Sequence, residues 1–213
     1  MFLLAGLAAV GGCSSTGGGL VVPMPDADLT PVTTSPDGTP YPTQDVGGQP
    51  RSASRPGQTF PNLTLAGIRS AATSDELAVV SMSEYYTPAC GCYALLHVLG
   101  IYFWCPHCNN ETKALAASAE WLAAHRVAVV QIAMEGYGGA SPGWNELQKW
   151  VRDHDVGFPV VVDGEGAELR QYFPVDRVPL NIVVDPRTME ILAVDVGEVT
   201  DVQAYEQKFL DVL

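Results

Sequence analysis

The sequence predicts an α/β domain over residues 59–213: a mixed central β-sheet with helices on both faces and an N-terminal β-hairpin extension. Three observations predict it. Strand and helix patterns alternate from Phe60 onward, an apolar run from Leu95 to Phe103 feeds directly into a helix-like stretch, and a turn-rich Asp185-Pro186-Arg187-Thr188 joins two late apolar runs. Alternation implies parallel crossovers early, whereas the late hairpin implies an antiparallel pair, so the sheet is mixed.

Short strands are expected near Asn62 to Leu65 and Leu77 to Met82, forming the hairpin, followed by the apolar strand Leu95 to Phe103. Pro106 then opens a helix running to about Ala124, and Val127 to Met134 reads as a buried strand. Trp144, Leu147 and Val151 recur at helical spacing, which gives an amphipathic helix ending near His154. Phe158 to Val162 is the next strand, and a short helix is expected over Ala167 to Tyr172. Leu180 to Val184 and Ile191 to Val196 flank the turn, and a closing helix spans about Asp201 to Leu213.

The region before this domain has a different character. Residues 1–12 are apolar and small, too short to span a bilayer, and lead into Val10-Gly11-Gly12-Cys13, which resembles a bacterial lipobox. That resemblance implies a lipoprotein signal peptide cleaved before Cys13, whose sulfur carries the lipid anchor. Ser14 after it resembles the outer-membrane class, so the expected location is the bacterial cell envelope, on the periplasmic face of the outer membrane. Residues 13–58 are dense in Gly, Pro, Ser and Thr without apolar periodicity and read as a disordered tether.

Of the 213 residues, 47% are hydrophobic, ample for a core, and only 16% are charged. The formal net charge of −13 argues against nucleic acid or anionic lipid headgroups as electrostatic partners.

Chemistry concentrates in Trp104-Cys105-Pro106-His107-Cys108. The first-turn N–H groups of a helix lack internal partners and carry partial positive charge, so a thiolate at Cys105 is stabilised there. Pro106 suits the first helical position, which makes Cys105 the N-cap. Cys108, three residues on, faces the same side, with the first sulfur exposed and the second covered by its own turn. Cys105 is thus the attacking thiol and Cys108 the resolving one. His107 adds a positive charge or a donor near the thiolate and, with Pro106, tunes the couple toward oxidation. A zinc site is the competing reading, because Cys90-Gly91-Cys92 lies upstream with 12 residues between Cys92 and Cys105. A purely structural Cys105–Cys108 bridge closes too short a loop to stabilise much.

Over roughly the last 150 residues the chain resembles the thioredoxin superfamily, specifically the TlpA-like or redoxin branch of thiol-disulfide oxidoreductases. The residues that carry the resemblance are the Trp104 to Cys108 motif, Glu111 completing a WCxxCxxE pattern, and Arg177-Val178-Pro179 at a strand entrance. The resemblance implies a cis Pro179 against the dithiol, with Val178 offering backbone hydrogen bonds to an extended substrate peptide and Trp104 beside it. It implies protein thiols and disulfides and a redox partner protein as reactants, and no dissociable cofactor. Glu111 either relays the proton of Cys108 or complements the helix dipole as a first-turn carboxylate. Pro106-His107 is the dipeptide of DsbA-type oxidases, whereas TlpA-like proteins generally have proline before the second cysteine, so the direction of electron flow stays open.

Cys90 and Cys92 fall outside that pattern. They read as a local disulfide, as an auxiliary redox pair exchanging with Cys105 and Cys108, or as a metal site recruiting His97. His125 and His154 are expected to complement helix C-termini. Two further functions compete with thiol exchange: copper or zinc binding through the two cysteine pairs, and a peroxidase of the peroxiredoxin type, which shares the fold.

Overall fold

The computed structural model describes residues 20–45, 49–50, 55–174 and 176–213. The signal peptide expected at residues 1–12 and the lipid attachment expected at Cys13 lie outside them. Seven strands form one sheet: β1 (Thr64–Ile68), β2 (Ala78–Ser81), β3 (Leu95–Tyr102), β4 (Val127–Glu135), β5 (Val160–Val162), β6 (Leu180–Asp185) and β7 (Glu190–Val196), in the order β2-β1-β5-β4-β3-β6-β7. β3 pairs parallel with β4 and antiparallel with β6, so the sheet is mixed as expected. β1 and β2 form the N-terminal hairpin, with Thr64 opposite Ser81, and β1 joins the sheet antiparallel to β5.

Every residue of β3 is buried, which explains its near-continuous apolar run: a central strand covered on both faces has no polar side to show. Alternation along β3 and β4 puts His97, Leu99 and Gln131 on one face. That face carries α1 (Pro106–Ala117), α3 (Trp144–Asp153) and α4 (Val202–Leu210). The contacts that fix this are Thr112 and Trp150 on Gln131, and Glu206 on His97. Gly100 lies on the opposite face, where Leu169 and Leu180 pack so closely that a Cβ would meet them at 3.2 and 3.3 Å. A 3₁₀ turn, Gly164–Gly166, and the turns after it cover that side.

Two expected elements differ. The helix from Pro106 breaks at Ser118, whose N–H is shared between the carbonyls of Ala114 and Leu115, and resumes as α2 (Ala119–Ala124), which turns Leu122 into the core. The helix expected over Ala167 to Tyr172 is a run of turns instead. Asp163 takes the N–H groups of Glu168 and Leu169 at 3.0 and 2.7 Å, and Pro174 closes the segment, so too few residues remain to propagate a helix.

The stretch read as a tether has little regular structure over residues 20–45, yet it touches the domain at defined points. Val22 accepts from the Trp144 N–H at 2.7 Å and donates to Asn145 at 2.8 Å, seating it on the start of α3. Tyr41 is buried, with its hydroxyl on the Phe60 carbonyl at 3.0 Å, and Asp45 accepts the Thr59 N–H at 2.8 Å. Composition records that the segment lacks periodicity; it does not record where single side chains find partners. Among the described residues no helix is long and apolar enough to cross a membrane.

Candidate functional site

β3 ends at Tyr102, and the chain turns at once: the Cys105 N–H returns to the Tyr102 carbonyl at 3.1 Å. This delivers Cys105 as the N-cap of α1 in extended conformation, with Pro106 in the first turn, as the spacing predicts. The Cys105 Sγ accepts the Cys108 N–H at 3.1 Å, so the sulfur occupies the place of a capping oxygen and takes up one of the orphan donors. Both cysteines are reduced. Cys108 is fully buried, and burial first, then the Cys105 sulfur, pushes its thiol far above the ordinary range.

Cys105 is less open than expected, at 5% exposure. The loop before β6 accounts for this: the Val178–Pro179 bond is cis, Pro179 is buried, and the Val178 carbonyl lies 3.9 Å from the Cys105 Sγ. Trp104, half exposed, stands outside, with its Nε1–H on Glu135 at 2.9 Å and its ring 5.2 Å from that of Tyr102. Arg170 locks this rim, pairing with Glu135 at 3.0 Å, bonding the Tyr102 hydroxyl and lying over the Tyr102 ring. His107 is largely exposed and its Nδ1 meets Glu198 at 2.5 Å, so its polar partner is that carboxylate and not the Cys105 sulfur.

Glu111 lies one turn beyond Cys108, fully buried, and among the described residues neither carboxyl oxygen has a hydrogen-bond partner. Burial drives its pKa up to about 7; His97, then the Val199 N–H and the Asn181 amide, oppose that rise without reaching hydrogen-bond geometry. It is close enough to Cys108 for its charge to disfavour the Cys108 thiolate. A carboxyl that titrates near neutrality beside a protonated thiol suits proton relay better than complementing a dipole.

Beneath Glu111 lies a buried polar cluster that the sequence reading missed. His97 has no exposed surface; its Nδ1 is 2.6 Å from Glu206 of α4 and its Nε2 2.8 Å from the Asn181 Oδ1 of β6. The Glu206 contact is one of charge, since neither atom has a partner in hydrogen-bond geometry. Burial acts most strongly on His97, against its charged form, yet Glu206, Glu111 and Asn181 together outweigh it and hold its pKa above the ordinary value. The signal in the sequence was a lone histidine in a strand with no polar side. His125 and His154 do cap helix ends, with Nδ1 on the carbonyls four residues back at 2.8 and 2.9 Å. Burial holds the His154 pKa below its ordinary value, so it serves there as a hydrogen-bonding ring and not as a charge.

Cys90 and Cys92 are joined to each other. They precede the first residue of β3, whereas Cys105 follows its last, and eight residues at roughly 3.3 Å each put about 25 Å of strand between the pairs. That separation overturns both a four-cysteine metal site and direct exchange between the two pairs within one molecule. The His97 ring faces Glu206 and Asn181 instead of these sulfurs. Among the described residues no group of three or more His, Cys, Asp or Glu side chains is placed to hold a metal ion.

Comparison with known proteins agrees with this architecture. No curated protein matches the sequence. Among solved structures the domain is similar to a thiol:disulfide interchange protein from Bacteroides sp., with 15% identity, 75% of this chain and 92% of that one covered, and a TM-score of 0.55. It is similar also to a DsbF homologue from Corynebacterium diphtheriae (23% identity, 74% and 88% covered, TM-score 0.54) and to the peroxidoxin BcpB from Mycobacterium tuberculosis (17% identity, 74% and 95% covered, TM-score 0.53). At these identities the likeness is one of fold, and the fold is that of thioredoxin. The sequence itself matches the AhpC/TSA family over residues 56–191, the span that holds the dithiol, the cis-proline loop and six of the seven strands in full, and the chain therefore belongs to that redoxin family.

Proposed function

We propose that this protein is a thiol-disulfide oxidoreductase of the bacterial cell envelope, lipid-anchored through Cys13, which exchanges disulfides with protein substrates through Cys105 and Cys108. The observation that carries the reading is the asymmetry of the two sulfurs. Cys105 holds the N-cap position with the Cys108 N–H on it and the Val178 carbonyl alongside, while Cys108 is buried and held protonated.

In that reading the Cys105 thiolate, stabilised by the N–H on its sulfur, attacks a substrate disulfide, forming a mixed disulfide and expelling the substrate's other sulfur as a thiolate. Cys108 then loses its proton to Glu111 and attacks Cys105, releasing the reduced substrate and closing the Cys105–Cys108 bridge; the reverse sequence oxidises a substrate. The Val178 and Pro179 loop and Trp104 dock the substrate chain, Pro106 and His107 set the potential, and a redox partner protein resets the couple. The disulfide at Cys90 and Cys92 supports an oxidising compartment. The similar protein from Bacteroides sp. is a thiol:disulfide interchange protein, which supports thiol exchange.

A Cys108→Ala chain tests the reading: it accumulates thiol-cleavable mixed disulfides through Cys105, and Cys105→Ala accumulates none. A couple near about −270 mV marks a reductant and one near about −120 mV an oxidant. Hydrogen peroxide turnover faster than disulfide exchange overturns the proposal in favour of a peroxidase. Palmitate labelling that is lost on Cys13→Ser tests the anchor.

A further inference from the structure

The Cys90–Cys92 bridge has no part in the chemistry above, and its surroundings argue against a structural duty. With one residue between its cysteines, it closes so short a loop that it removes little chain entropy. The backbone is already held without it. The Gly91 N–H reaches the Thr87 carbonyl at 3.2 Å, the Ala94 N–H the Arg126 carbonyl at 2.8 Å, and Arg126 Nη1 the Gly91 carbonyl at 2.8 Å. Gly91 adopts φ +53°, the left-handed region that admits glycine freely.

Both cysteines are exposed, beside a cavity of about 360 Å³ lined by Pro36, Asp37, Glu84, Tyr86, Thr87 and Tyr93. The two sulfurs differ in one respect: the Cys92 N–H is 3.3 Å from the Cys90 Sγ. The same device, an N–H on a sulfur, occurs between Cys108 and Cys105. A thiolate forming on Cys90 meets a donor already in place, and the Arg126 guanidinium is bound to the residue between the sulfurs.

We propose that Cys90–Cys92 is a second thiol-disulfide exchange site that accepts two electrons from a dithiol on another molecule, with Cys92 the sulfur attacked and Cys90 the leaving thiolate. The donor thiolate attacks the Cys92 Sγ, the S–S electron pair passes to Cys90, and Cys90 takes a proton from solvent. The donor's second thiol then loses its proton and attacks the donor sulfur bound to Cys92, leaving a donor disulfide and two protein thiols. Because Cys105 lies at the far end of β3, the donor is a separate molecule: a second copy's Cys105–Cys108 dithiol or another protein's.

The test uses full-length Cys13→Ser, Cys105→Ser, Cys108→Ser protein, so its outcome is independent of the function proposed for Cys105 and Cys108. Limiting glutathione followed by alkylation and mass mapping reads which sulfur is attacked; the expected mixed disulfide is on Cys92 over Cys90 by about tenfold, the scale on which leaving-group stabilisation governs exchange. Dithiothreitol then reduces the bridge reversibly with an unchanged circular dichroism spectrum. Reduction by Cys90→Ser, Cys92→Ser protein, carrying its own reduced dithiol, identifies a second copy as donor, and a bridge left intact by that protein excludes a second copy. Equal attack on both sulfurs, preference for Cys90, or reduction only on unfolding overturns the proposal.

Discussion

Replacing Glu111 with glutamine isolates the contribution of one buried carboxyl. In the folded protein this group titrates near about 7 against an ordinary 4.5, chiefly because burial disfavours its charge. That gap corresponds to about 3 kcal/mol of differential interaction between its protonation states. The sign follows from the direction of the shift. A folded pKa above the unfolded one means that the stability contributed by the protonated form is complete below pH 4.5, falls as pH rises through 7, and is lost beyond. Glutamine keeps the volume without the charge, and any hydrogen bond its amide fails to make costs about 1–3 kcal/mol equally at every pH. The quantity to read is therefore how the difference between wild type and Glu111→Gln changes with pH. Urea midpoints measured from pH 4 to 8.5 with the dithiol reduced are expected to shift in favour of the variant by up to about 3 kcal/mol across this range. The resolution of a Cys105 mixed disulfide by Cys108 is expected to slow in the variant and to lose its dependence on pH near 7. A stability difference flat in pH refutes the assignment of Glu111 as the group that titrates beside Cys108.

Two further outcomes follow from packing. His97→Gln leaves Glu206 buried without its cation and is expected to cost about 3–5 kcal/mol in urea unfolding, with part recovered in His97→Gln, Glu206→Gln, since the second change removes the orphaned charge. Gly67→Ala places a Cβ 2.2 Å from the Val160 carbonyl oxygen, so β1 must leave β5. Its thermal midpoint is expected to fall by about 6–12 °C, consistent with a loss of about 3 kcal/mol. Gly157→Ala, with no atom within 4 Å, is the control.

Much of this protein is legible along the chain because its local signals are strong. The unbroken apolar run of β3 announces a strand covered on both faces, and Pro106 after Cys105 announces a helix start; both follow from backbone chemistry acting within a few residues. The helix expected at Ala167 to Tyr172 failed because its fate depends on Asp163 taking two N–H groups from outside the periodic window. The candidate site divides the same way. Cys105, Cys108 and Glu111 share one helix face by spacing alone, whereas His97, Asn181 and Glu206 come from β3, β6 and α4 and meet only because the sheet order sets β6 beside β3 and lays α4 across both.

By itself the sequence determined the α/β class and the CxxC dithiol at a helix start, since each rests on interactions between near neighbours. Tertiary structure alone decided that Glu111 is buried above a charged pair with no hydrogen-bond partner among the described residues, that His107 turns to Glu198, and that the two cysteine pairs lie at opposite ends of one strand. Burial and the pairing of distant segments are properties of the folded chain, and through them solvation and distance determine which groups hold or give up their protons.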